Sequence, residues 1–442
     1  MATQPPRNRA LTRREMVAGG GAAGLGGLIV GGVGGFFGGR ASKSGTATTT
    51  SAPAKGTPIT IGGGVPVTGA FSGDGQEMRR GMELAIAEIN AAGGLLGRPL
   101  KFKLLDTKEQ APNDMTTVVR KLVSSKVAAM FVPFTTYTSV EYPIAAASGI
   151  PMFHVNTYQG NADYVKKKGY TNIYQGDPTE IWYGPGFIAV TDELIASGAW
   201  KPRNKTAAVV TSNDAYSLSI ARGFRDGVVK KGWKVPLYEQ FTIPQTDWGP
   251  VLVKIRKLNP DIVFFSDYTA GDEASFIKQF RQSPTRSLVY EQYAPSVPEY
   301  LQLAGSAANG VLWSTVTGSI LDDVIGQKFA NGYQQKFKQN PGLANAGGQY
   351  DLVHMWALAA GSVGDPYDFK RVNHAIANMT YRGVNGAFHF QPGILSCYPY
   401  PDRLDDPSLG MAHLTFQIQN GKQVIVSPKP YTTGKFQLPG WM

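Results

Sequence analysis

The chain has 442 residues, of which 42% are hydrophobic and 17% charged, with a formal net charge of +11 and a single cysteine, Cys397. That length exceeds what one hydrophobic core usually spans, so two domains are expected, and the composition excludes disordered and fibrous classes. One cysteine excludes an intramolecular disulfide and a cysteine-based metal cluster.

The charge is uneven. Residues 1–43 hold six Lys/Arg against Glu15 alone, and the remainder carries a formal +6 spread along the chain. The densest basic run, Lys166-Lys167-Lys168 beside Gly169, reads as a solvated loop face, so no nucleic-acid partner is expected.

In chain order, Thr12-Arg13-Arg14-Glu15-Met16 precedes an uncharged stretch from Met16 to Gly39. Paired arginines ahead of a weakly apolar run form the pattern of a twin-arginine export signal, assigned to 1–43. Twelve of the 24 residues in the stretch are glycine. Each weakens a helix by ~1 kcal/mol relative to alanine, which argues against a permanent transmembrane helix. No cysteine follows the run, so anchoring through a lipidated N-terminal cysteine is not expected. Residues 44–57, rich in Thr, Ala and Ser, read as a flexible tether.

From Pro58 onward strands and helices alternate. Ile59–Val65 is read as a strand, followed by the loop Thr68–Gly73 and a helix with Met78, Met82, Ala85, Ile86 and Ile89 on one face. Strands are then expected at Leu100–Leu105, Ala129–Val132 and Pro151–Val155, with a helix at Pro112–Ser125. A second run follows. It has strands at Thr206–Thr211, Trp233–Phe241, Asp261–Ser266 and Ser287–Gln292, and helices at Ala215–Lys231, Trp248–Leu258 and Asp272–Arg281. The pattern returns at Val311–Val316, Asp323–Lys338 and Gly348–Ser362, then turns β-rich at Ala387–Phe390, Leu414–Ile418 and Gln423–Val426. Two such runs imply two parallel sheets, each covered by helices. Ligands of such sheets sit outside the carboxyl ends of the strands.

The segment from Ala85 to Phe102, Ala-Ile-Ala-Glu-Ile-Asn-Ala-Ala-Gly-Gly-Leu-Leu-Gly-Arg-Pro-Leu-Lys-Phe, resembles the signature of branched-chain amino acid-type solute-binding proteins, the type I periplasmic binding proteins of ABC importers. Ala221-Arg-Gly-Phe-Arg-Asp-Gly-Val and Asn259-Pro-Asp-Ile-Val-Phe-Phe-Ser match two further segments of that family in the same order. The resemblance covers about residues 58–430. It implies an α/β fold of two doubly wound Rossmann-like lobes joined by three crossovers, placed near Gly176, Gly310 and before His413. The implied division is 58–176 and 311–410 for lobe 1, with 177–310 and 411–442 for lobe 2.

The resemblance also implies a site. Carboxylate contacts fall on the loop Phe134–Thr138, with Thr135 and Thr136, and on Asn156, Thr157 and Tyr158. The second lobe is implied to add Tyr216 and Tyr268. The family's ammonium-binding acid aligns with Gln292, next to Glu291. Adjacent strand residues point to opposite faces, so only one of the two enters the site. An inward Glu291 implies an α-amino acid. An inward Gln292 leaves an ammonium without counter-charge and implies an amide, a urea-like compound or a neutral-headed acid, unless Asp267 substitutes. Tyr137, Tyr158, Tyr216, Tyr268 and Tyr293 suit a flat ligand.

The implied role is an exported periplasmic or cell-surface binding component that delivers a small polar metabolite to importer permease subunits by hinge closure. The same fold also serves as a ligand sensor. A monomer without cofactor is expected, touching the membrane only through the permease or an uncleaved leader. From Pro58 onward no Gly-x-Ser-x-Gly, His-Glu-x-x-His, P-loop or dinucleotide Gly-x-Gly-x-x-Gly motif is present, and Gly62-Gly63-Gly64 leads into Val65-Pro66 rather than a helix. The five histidines show no metal-ligand spacing, and no enzymatic activity is expected.

Overall fold

The computed structural model describes residues 55–442. The expected export signal and all but the last three residues of the expected tether lie outside the described residues.

The stretch 55–177 runs β1 (Ile59–Val65), α1 (Ser72–Ala91), β2 (Leu100–Asp106), α2 (Pro112–Ser124), β3 (Met130–Phe131), α3 (Tyr142–Ser148), β4 (Met152–His154), α4 (Gln159–Lys168) and β5 (Ile173–Gln175). The five strands form one parallel sheet in the order β2-β1-β3-β4-β5. The expected apolar face of α2 is the buried one, through Met115, Val118, Val119 and Leu122. The three consecutive glycines lie inside β1. A Cβ at Gly62, Gly63 or Gly64 would come within 2.6–2.8 Å of Leu122, Phe102 or Val118 respectively, so they serve close packing rather than phosphate binding.

Helices α3 and α4 were not foreseen, and one reading needs correction. Lys166–Lys168 is the last turn of α4, not a loop. Gly169, at φ +66°, ends the helix in the left-handed conformation that glycine adopts without strain. Cations in a last turn also complement the negative end of the helix dipole.

The stretch Pro178–Gly318 repeats the plan with α5 (Tyr183–Ala196), β6 (Thr206–Ser212), α6 (Ala215–Lys230), β7 (Lys234–Phe241), α7 (Gly249–Leu258), β8 (Ile262–Ser266), α8 (Ala270–Phe280), β9 (Leu288–Glu291), α9 (Pro298–Ala304) and β10 (Leu312–Thr315). Its parallel order, β7-β6-β8-β9-β10, is the order of the first sheet again. The core beneath it is aromatic. Phe224 stacks on Phe264 at 4.0 Å, Phe264 on Tyr290 at 4.6 Å, and Phe187 approaches Tyr290 at 4.3 Å. Such pairs add about 0.5–1.5 kcal/mol each beyond their burial.

The chain then returns to each unit in turn. Residues Ser319–Tyr398 supply α10 (Val324–Phe337), α11 (Asn345–Val363), α12 (Phe369–Asn378) and the antiparallel pair β11 (Thr380–Gly383) and β12 (Gly386–His389). They join 55–177 intimately, for a Cβ at Gly81 in α1 would stand 2.1 Å from the Ala346 carbonyl oxygen of α11. Residues Pro399–Met442 supply β13 (Pro399–Tyr400), β14 (Met411–Ala412), β15 (Leu414–Gln419) and β16 (Lys422–Ser427). Strand β15 pairs antiparallel with both β10 and β16, which widens the second sheet to seven strands.

The protein is therefore α/β, with two doubly wound units whose chain crosses three times, at 177/178, 318/319 and 398/399. The second crossing follows β10, because Leu312 pairs with Tyr290 and Leu312–Thr315 with Leu414–Gln417. That strand belongs with Pro178–Gly318, so the crossing lies after Gly318 rather than near Gly310. Among the described residues no helix is long and apolar enough to cross a membrane.

Candidate functional site

Both sheets reverse strand order beside the first strand of the run, β1 or β6, and such switch points are where ligands of open α/β sheets bind. The candidate residues follow β3 and β4 in one unit and β6, β8 and β9 in the other.

In the unit of 55–177 and 319–398, Thr135 and Thr136 are buried on the loop after β3. Thr136 donates its backbone N–H to Glu141 Oε1 at 2.8 Å and its hydroxyl to Glu141 Oε2 at 2.7 Å. Asn156, on the loop after β4, donates from Nδ2 to the Thr135 carbonyl at 2.8 Å and accepts the Tyr158 N–H at 3.2 Å. Asn161 donates to the Thr136 carbonyl at 2.9 Å and to Ser139 Oγ at 2.7 Å. Thr136 and Asn156 thus spend these polar atoms bracing the two loops against each other.

Thr135 is placed differently. Its Oγ1 lies 3.1 Å from the Tyr142 hydroxyl, which lies 3.0 Å from His154 Nε2. Burial pushes the His154 imidazole down to about 3, so the ring is neutral at physiological pH. Thr157 is buried on the loop after β4. The exposed Tyr137 ring meets the Tyr158 ring edge-on at 5.1 Å. Hydroxyls on loops of this kind donate to an anion without bringing a full counter-charge.

In the unit of 178–318 and 399–442, Tyr216 opens α6 and Tyr268 follows β8. Their rings meet edge-on at 5.9 Å. Gln292, fully buried just past β9, donates from Nε2 to the Tyr216 hydroxyl at 2.8 Å. Glu291 goes elsewhere. It accepts from the Tyr300 hydroxyl of α9 and lies among the buried acids Glu273 and Asp267. Burial, with repulsion from neighbouring carboxylates, raises Glu273 and Glu291 well above the ordinary range. Burial likewise pushes Asp267 up to about 7. The structure brings Gln292, Tyr216 and Tyr268 together and leaves Glu291 out of that group.

Sequence reasoning missed Glu141, Tyr142 and Tyr300, each of which holds a candidate residue in place. The nearest signal was the five-residue interval from Thr136 to Glu141. It also missed a Ser–His–Asp alignment. His413 Nδ1 lies 2.9 Å from Asp402 Oδ2, and Nε2 lies 3.2 Å from Ser314 Oγ. Ser314 is fully buried and 2.6 Å from the Tyr290 hydroxyl, so the alignment ties β10 to β9 and the segment before β15 rather than presenting a nucleophile. No group of three or more His, Cys, Asp or Glu side chains among the described residues is arranged to hold a metal ion.

The profile of the family described as "Periplasmic binding protein" matches residues 58–393. A solved structure described as a putative branched-chain amino acid ABC transporter from Silicibacter pomeroyi is 32% identical. It covers 87% of this chain and 100% of its own, with a TM-score of 0.81. The Streptococcus pneumoniae branched-chain amino acid substrate-binding protein, solved with isoleucine, is 21% identical and aligns over 84% of this chain and 100% of its own, with a TM-score of 0.69. The Rhodopseudomonas palustris solute-binding protein, solved with benzoate, is 22% identical over 86% and 100%, with a TM-score of 0.66. Among curated relatives, Leu/Ile/Val-binding protein homolog 8 of Brucella abortus is 25% identical over 235 residues, 52% of this chain. The match spans little more than half, 56%, of that relative's length.

Proposed function

The chain belongs to the periplasmic binding protein family, in its type I branch, and from that premise we infer that it is the extracytoplasmic substrate-binding component of an ABC importer. The observation that carries the reading is that hydroxyl-bearing loops follow strands of one unit's sheet, and a Tyr–Tyr–Gln group follows strands of the other unit's sheet. The ligand is a small polar metabolite, an amino acid or a related compound.

In this reading Thr135, Thr157 and Tyr158 take the ligand's carboxylate first. Tyr216, Tyr268 and Gln292 engage it as the units close about the three crossings. Closure is driven only by contacts that exist in the closed state. Thr136 and Asn156 act by holding the loops, and Glu291 by supporting the strand end. A micromolar ligand requires about −8 kcal/mol in all. The exported protein works as a monomer and hands its ligand to the permease subunits.

Native mass spectrometry of the full-length protein, equilibrated with a mixture of amino acids, carboxamides and small carboxylic acids, tests this. One ligand retained at unit stoichiometry and lost in Tyr216→Ala is the expected result. Retention of none, or turnover of a retained compound, sinks the reading.

A further inference from the structure

The chain crosses between its two units at 177/178, 318/319 and 398/399, and each unit holds those crossings in its own way. In the unit of 55–177 and 319–398 the first and third crossings are joined. The Cys397 N–H donates to the Asp177 carbonyl at 3.1 Å, the Ser396 hydroxyl donates to the same carbonyl at 2.8 Å, and Gln175 forms a β-bridge with Ser396. Ser319, just past the second crossing, donates its N–H to the Leu343 carbonyl at 2.8 Å and its hydroxyl to Asn385 Oδ1 at 2.7 Å.

In the other unit one side chain meets all three. His413, buried ahead of β15, follows the third crossing, and Asp402 Oδ2 of the same segment lies 2.9 Å from its Nδ1. A carboxylate only accepts, so Nδ1 carries a proton, and Nε2 turns to Ser314 Oγ at 3.2 Å. Ser314 lies on β10, whose chain runs into the second crossing. The imidazole also meets the segment after the first crossing. Tyr183 packs on it edge-to-face with ring centroids 5.5 Å apart, and a Cβ at Gly186 would stand 2.2 Å from His413 Cε1. Tyr183 closes the circuit, since its hydroxyl accepts the Val316 N–H at 3.4 Å.

This node reaches the candidate site as well. The Tyr183 ring lies 6.4 Å from the Tyr216 ring, whose hydroxyl accepts from Gln292, and Ser314 Oγ lies 2.6 Å from the Tyr290 hydroxyl of β9. Buried polar networks rigidify the segments they join. Chain ends tied to one imidazole move as one body, whereas untied ends bend singly.

We propose that His413 is a positioning residue of the hinge: it locks the three crossing segments of this unit into one node, linked through Tyr183 to Tyr216, so that the crossings bend together during closure. The proposal rests on the binding-protein reading above, in which closure occurs, and assigns control of that motion to a residue outside the contact group.

Double electron–electron resonance on the full-length protein tests this. Nitroxides go on Val253→Cys and Val324→Cys, exposed positions in different units, while the buried Cys397 stays unlabelled. His413→Asn and His413→Gln separate a link from the mere filling of space. The shorter amide reaches Asp402 but not Ser314, whereas the longer one reaches Ser314. His413→Asn should broaden the distribution of inter-unit distances, with about a fivefold shift in population away from the parent's main distance, the factor carried by one lost hydrogen bond. His413→Gln should keep the parent distribution. Should His413→Asn not fold, Ser314→Ala, which removes the same link from the other side, should broaden the distribution in its place. Distributions unchanged in His413→Asn and Ser314→Ala, or broadened alike by Asn and Gln at 413, overturn the proposal. Either result leaves the binding reading standing, because ligand retention in native mass spectrometry decides that reading separately.

Discussion

In the unit of 55–177 and 319–398, the candidate contact loops are held by short polar side chains: Glu141 accepts twice from Thr136, and Asn156 and Asn161 bridge one loop to the next. In the other unit the candidate contacts are rings and one amide, mounted on an aromatic core and backed by buried acids. The difference is one of tolerance. A polar brace depends on each partner, because removing one leaves a buried donor or acceptor unmet. An aromatic platform depends on volume, because its stability comes from area and packing.

The most severe way to press this contrast is Phe264→Ala. It empties the centre of the stack formed with Phe187, Phe224 and Tyr290, and about 3–5 kcal/mol of stability should be lost in chemical denaturation. A loss near 1 kcal/mol would show that the platform closes over the gap, and the contrast would fail there. Glu141→Ala comes next. It strands the Thr136 N–H and hydroxyl, so a loss of about 1–3 kcal/mol is expected, along with faster amide exchange on the loop after β3. Unchanged exchange would mean that Asn156 and Asn161 suffice to hold the loop.

A further effect concerns pH, where His154 and Asp267 tilt stability in opposite directions. Burial lowers His154 from 6.5 to about 3, so the unfolded chain binds a proton that the native state refuses. That contribution is complete above pH 6.5 and is lost as pH falls toward 3. Burial raises Asp267 from 3.8 to about 7, so the native state keeps a proton that the unfolded chain releases. Its contribution is complete below pH 3.8 and is lost as pH rises through about 7. Denaturation midpoints of Asp267→Asn across this range should show the second slope removed and the first retained.

Much of the framework was legible in the sequence. The inward faces of α1 and α2, the apolar run of β8 and the strands β15 and β16 all follow from local periodicity, which needs only neighbouring residues to be read. The short helices α3 and α4 were hidden because their apolar stripes are brief. Lys166–Lys168 then looked like loop, since only the backbone turn at Gly169 reveals the helix end. The choice of Thr135, Thr157, Tyr216, Tyr268 and Gln292, each after an expected strand, came from the resemblance rather than from periodicity. Which face each takes was legible in neither. Gln292 meets Tyr216 from 76 residues away, and Glu291 turns to Tyr300 because α9 packs on that side of the strand. Pattern along the sequence specifies elements, since helix and strand periods are properties of adjacent residues. Partners such as Glu141 for Thr136, Tyr142 for Thr135 and Tyr216 for Gln292 were decided only by the tertiary structure, because each buried polar atom binds whichever group the packing of the helices and sheet brings within reach.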